Sequence, residues 1–194
     1  MSAKAVIHWD DHVQYEKIGG KIFAMSRPAV NHITVSGNIY HIFRNYLKGK
    51  TCKVFAEADL YLFEDDNVMP DIMIVCNKDI IRETGIYGSP DLIVEVLSPS
   101  TTGKDKKQKM KLYEKCGVTE YWLVSPNGRS IEVYLLNAGR LEFSFAAVLE
   151  KECMIEKMND EEKAELIFEF KTSLFDDLII YLEDVFEGVI DFPW

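Results

Sequence analysis

The chain has 194 residues, 47% hydrophobic and 28% charged, a balance that supports a folded core and excludes disordered and collagen-like chains. Its 22 Lys and Arg face 32 Asp and Glu, and the net charge of -10 works against bulk binding to polyanions while leaving room for a local basic patch. No apolar run approaches the roughly 18–20 residues of a membrane helix, and the start MSAKAVIHWDD has no basic region leading into an apolar stretch. The expectation is one cytoplasmic domain over 1–194 without membrane contact, its core at about 14–148 and an acidic, amphipathic extension at 149–194.

In chain order, 14–18 and 21–25 read as a hairpin around Gly19-Gly20, whose glycines tolerate positive φ. After Pro28, the three- and four-residue spacing of Val35, Ile39, Ile42, Phe43 and Tyr46 predicts an amphipathic helix over 31–47. Strands follow at 51–56, 59–63 and 68–76, the last two joined by the acidic turn 64–67. A run at 92–97 is apolar on both faces except for Glu95, which predicts a strand covered on both sides in the middle of a mixed sheet.

The segment 98–102 leads into a helix over about 104–116, closed by Gly117. Strands at 120–124, 130–136 and 141–148 form a meander, and 174–186 reads as a terminal helix packing back on the body. The fold class is α/β (α+β), with a central mixed β-sheet flanked by helices. Cys52, Cys76, Cys116 and Cys153 are scattered without a CxxC pair, so free thiols are expected.

Burying an ionised carboxylate without a partner costs several kcal/mol, about the scale of a buried ion's penalty, so Glu95 requires an explanation. Asp71, just after Pro70 at the start of another apolar strand, is a second acid placed to converge with Glu95 on a hard cation. The alternative is that Asp71 caps a strand entry and Glu95 is a salt-bridged core acid. On the 104–116 helix, Lys109 and Asp105 share the apolar sector of Leu112, Tyr113 and Cys116. Lys109 is thus an inward lysine, read either as chemistry or as a snorkelling stem paired with Asp105.

Lys104, Lys107, Lys111 and Lys115 occupy the opposite sector, a solvated face or a phosphate-facing stripe. His32 falls on the inward face of the first helix, as a core histidine or a ligand. His41 faces solvent, and His8 and His12 lack the further ligand a zinc site needs. The run 98–104 lacks the first glycine of a phosphate loop, and no GxSxG, HExxH or dinucleotide fingerprint occurs.

The segments VMPD at 68–71, SPDLIVEVLSPST at 89–101, Asp105 with Lys109 and Tyr113, and GVTEYWLV at 117–124 closely resemble the Uma-type restriction endonuclease family of the PD-(D/E)XK nuclease superfamily. YEKIGGKIFAM at 15–25 and the helix of His32 continue the resemblance, which reaches about Val148. It implies a restriction-endonuclease-like fold and a Mg²⁺-dependent enzyme cutting DNA, Mn²⁺ being able to substitute, with Asp71 and Glu95 as metal ligands and catalytic acids. The superfamily lysine belongs two residues after the glutamate, where this chain has Leu97. Lys109 matches the place of a lysine moved to the following helix.

The acid many superfamily members carry on the first helix has no counterpart in 31–47. His32, Asp59 or Glu16 could supply that support, with Asp105 beside Lys109. Lys104, Lys107 and Lys111 would contact nucleic acid, and cutting both strands of a duplex is compatible with a homodimer. A nuclease-fold binding or oligomerisation module without catalysis is the alternative, favoured by the acidic charge.

Overall fold

Among the described residues, alternating and helical periodicities resolve into two six-stranded mixed sheets, a small hairpin and five α-helices. The computed structural model describes residues 14–98 and 103–192, with the backbone alone for 103–106 and 152. In chain order the elements are β1 (Tyr15–Ile18), β2 (Lys21–Ala24), α1 (Val30–Tyr46), β3 (Lys53–Ala56), β4 (Leu60–Phe63), β5 (Asp66–Val68) and β6 (Ile72–Val75). There follow β7 (Ile81–Arg82), β8 (Gly85–Tyr87), β9 (Leu92–Val96), α2 (Gly103–Cys116), β10 (Glu120–Ser125), β11 (Ser130–Asn137) and β12 (Arg140–Val148). The chain ends with α3 (Glu152–Ile155), α4 (Asp160–Ala164), β13 (Glu169–Lys171), β14 (Ile179–Tyr181) and α5 (Leu182–Val185).

The larger sheet runs β12-β11-β10-β9-β6-β3, with β9 and β10 parallel and joined through α2. As its apolar pattern predicts, β9 lies between β10 and β6. One face of this sheet packs Ile72, Ile74, Leu92, Val94 and Trp122 against Val35, Ile39 and Phe43 of α1. The other packs Met73, Ile93, Tyr121 and Leu123 against Leu112 and Tyr113 of α2 and Leu60, Val68 and Ile86 of the second sheet. That second sheet runs β2-β1-β5-β4-β8-β7. Gly117, at φ 87, ends α2, and its N–H donates to the Tyr113 carbonyl.

Three expectations are corrected. The run 68–76 is two strands in different sheets, because Pro70 cannot donate to a ladder and the chain crosses between sheets there. The tail 174–186 is a strand and a one-turn helix: Ile179, Ile180 and Tyr181 favour a strand that pairs β13, and Asp176 and Asp177 sit in the preceding turn. Cys52 and Cys76 are not free thiols but a disulfide, because the β3–β6 register that pairs Lys53 with Val75 sets them opposite each other. Cys116 and Cys153 are free. The β7–β8 hairpin had no strong period to announce it. No helix among the described residues is long and apolar enough to cross a membrane.

The C-terminal extension is fastened by polar contacts as well as by the buried Leu182, Val185 and Phe186. Asn31 donates to the Ile190 carbonyl and accepts from its N–H, and Asn38 donates to the carbonyls of Val185 and Glu187. Glu120, 1% exposed, accepts from the Trp122 indole at 2.6 Å and from the N–H and hydroxyl of Ser173 at 2.6 and 2.5 Å. Glu120→Ala would orphan these donors and lower the unfolding free energy by about 2–4 kcal/mol in urea titration.

Candidate active site

The β6–β9 register, with Ile72 opposite Val94 and Met73 opposite Ile93, brings Asp71 and Glu95 together at one end of the large sheet. Facing carboxylates repel, so the pair requires compensation. Asp71 Oδ2 accepts the Val96 N–H at 2.6 Å, and its Oδ1 lies 3.2 Å from His32 Nε2. Glu95 accepts from Lys109 Nζ at 3.1 and 3.2 Å and from the Tyr113 hydroxyl at 2.6 Å. Tyr113 is one helical turn beyond Lys109, so both reach the same carboxylate from α2.

Lys109 also bonds Glu16 on β1 at 2.7 Å, and the same Glu16 oxygen accepts the Met69 N–H at 3.0 Å. One ammonium thus bridges the two sheets. These groups line a cavity of about 220 Å³ whose other walls include Ile18, Phe23, Met25, Pro28, Gln108, Tyr121, Leu123 and Glu57. Glu57 has φ 48, an uncommon conformation for a residue with a side chain, and its N–H donates to the Asp71 carbonyl.

Burial pushes the Glu95 carboxyl up to about 7; the Lys109 charge opposes this, Asp71 and Glu16 add to it, and Tyr113 opposes it. Burial pulls Lys109 down, but Glu95 and Glu16 outweigh it and the ammonium stays well above its ordinary value. Burial likewise lowers His32, yet the hydrogen bond and charge of Asp71, with Glu95 and Glu57, leave it raised. Tyr113 is raised well above its ordinary value, by burial first and then by Glu95.

Of the residues singled out in the sequence, the structure gathers Asp71, Glu95, Lys109, Glu16 and His32. Asp59 stands apart in the second sheet, its carbonyl accepting the Ile86 N–H where Gly85 leaves room for close approach. Lys107 and Lys111 are exposed on α2, and His41 is exposed and bonded to Asn45. The side chains of Lys104 and Asp105, and His8 and His12, lie outside the described residues. The sequence reading did not single out Glu57 or Tyr121 for the site; no local pattern marks Glu57, and Tyr121 has only its β10 alternation with Leu123.

The carboxylates are the kind of oxygen donor that a hard divalent cation takes. Four carboxylates, Asp71, Glu95, Glu16 and Glu57, line the cavity with Lys109 and His32, and Mg²⁺ is held by one or two carboxylates with its own waters. Among the described residues no group of three or more His, Cys, Asp or Glu side chains is placed to hold a metal ion, so a cation here would rest on one or two carboxylates and its own waters.

A crystal structure described as a putative nuclease belonging to DUF820, from Anabaena variabilis, shares the fold with TM-score 0.68 and 20% identity over 91% of each chain. The family model Uma2, "Putative restriction endonuclease", matches residues 6–159, and the chain belongs to that family. It is similar to two uncharacterized Synechocystis proteins, slr1290 at 29% identity over 71% of this chain and 75% of that one, and sll1609 at 26% over 61% and 70%.

Glu95 and His32 both carry raised folded-state values, so both stabilise the fold at low pH and lose that contribution as pH rises through those values. In chelator, calorimetry should show stability falling by about 1 kcal/mol between about pH 6 and pH 8 from Glu95 alone, with Glu95→Gln flattening the slope.

Proposed function

We propose that the protein is a Mg²⁺-dependent endonuclease hydrolysing phosphodiester bonds in DNA. The observation that carries this reading is the Asp71–Glu95 pair facing each other with Lys109 Nζ 3.1 Å from Glu95. Family membership supports it, and so does the fold. Asp71 and Glu95 would hold the cation, for which Mn²⁺ could substitute, and the bound ion would supply an activated water and charge neutralisation at the phosphate.

The chain's own residues do the rest. Lys109 sits beside Glu95 to steady the attacking water or the negative charge that develops on the phosphate. Glu16 and Tyr113 fix that ammonium and carboxylate in place, and His32 with the Val96 N–H fixes Asp71. Lys107 and Lys111, exposed on the face of α2 opposite Lys109, would meet phosphates farther along the strand.

A second reading, a nuclease-fold binding module without catalysis, draws on the net charge of -10. Cleavage of plasmid and oligonucleotide DNA in Mg²⁺ or Mn²⁺ decides between them. The nuclease reading expects cutting by the wild type, and about a hundredfold loss or more for Glu95→Ala and Lys109→Met, the scale of removing one charge-stabilising group. It also expects Mg²⁺ to raise the melting temperature of the wild type but not of Glu95→Ala. An inactive wild type with an unchanged melting temperature would leave the binding module.

A further inference from the structure

The cavity also bears on the form in which nucleic acid reaches the site. The side chains of Asp71, Glu95 and Lys109 are 15%, 12% and 14% exposed, and those of Glu16 and His32 are 9%. The cavity, at about 220 Å³, is smaller than the roughly 300–1,000 Å³ of sites for drug-sized ligands. It has room for one base or sugar.

Its walls divide by chemistry. Asp71, Glu95 and Lys109 face it from the large sheet and α2, whereas the β1–β2 hairpin lines it with Glu16 and with the apolar Ile18, Phe23 and Met25. Phe23 is the register partner of Glu16, so the ring stands next to the carboxylate that grips Lys109. An aromatic ring beside a phosphate-handling cluster is the arrangement on which unstacked bases settle.

From this the geometry points to unpaired DNA as the substrate: one nucleotide of a single strand or flap enters the cavity, its base stacked on Phe23 and its phosphate at Asp71 and Glu95. This rests on the nuclease reading for its chemistry, but not for its binding mode. A single strand needs a single cut, so one chain's site suffices, and the acidic exterior that disfavours a wrapped duplex is no obstacle.

The test is fluorescence anisotropy in Ca²⁺, which fills a carboxylate site in place of Mg²⁺, with a labelled single-stranded oligonucleotide, the blunt duplex of the same sequence and that duplex bearing a single-stranded flap, followed by cleavage of all three in Mg²⁺ or Mn²⁺. Single strand and flap should bind at least about tenfold tighter than blunt duplex. Phe23→Leu should cost about tenfold in that binding while Phe23→Trp retains it, since stacking on an aromatic ring has this scale. A blunt duplex bound and cut as well as the single strand overturns the inference and leaves the nuclease reading standing. No binding of any oligonucleotide overturns the inference, as does indifference to Phe23→Leu. Selective binding of single strand and flap without cleavage upholds the binding mode and defeats the nuclease reading.

Discussion

The site depends on a repulsion held in check. Asp71 and Glu95 face each other across β6 and β9, and both are largely withdrawn from water, where like charges repel more strongly. Only cationic and hydrogen-bonding groups brought from elsewhere make that tolerable: Lys109 and Tyr113 from α2, His32 from α1, the Val96 N–H from the strand itself. Glu16 then shares the single ammonium with Glu95. Five separate elements, β1, β6, β9, α1 and α2, therefore have to be in register for the cluster to exist.

The architecture answers that demand with a change of sheet. Pro70 ends one ladder and lets the chain pass from β5 to β6, so Asp71 enters the large sheet at the place where β9 presents Glu95. The parallel β9–α2–β10 connection returns α2 across the same face, which brings Lys109 over Glu95 within 14 residues of chain. The second sheet supplies the remaining wall through its β1–β2 hairpin, and the C-terminal segment braces the opposite face through Asn31, Asn38 and Glu120.

Much of this was legible because local pattern and burial coincide. Glu95 stood out as an acid in an apolar strand, and Lys109 by its sector on a helix whose other lysines face outward. The hairpin, α1, β9 and α2 followed from spacing and glycine punctuation. What escaped depends on contacts between distant segments. Asp59 and Glu16 looked equivalent in the sequence, but their side chains end in different places because β4 pairs β8 while β1 flanks the cavity. The Cys52–Cys76 bond depends on the pairing of β3 with β6, and the tail's short strand was masked by a helical spacing of apolar residues.

That disulfide has a mechanical consequence. Strand β3 is the last in its sheet, bonded on one side only, and an edge strand is the element most free to shift along its neighbour. A shift by a single residue would exchange Val54 and Phe55, which serve different cores, and would draw Glu57 off the Asp71 backbone. A covalent tie at the far end of the β3–β6 pair forbids that slide. It works as an anchor bolt, holding alignment at the cavity from the opposite end of two strands.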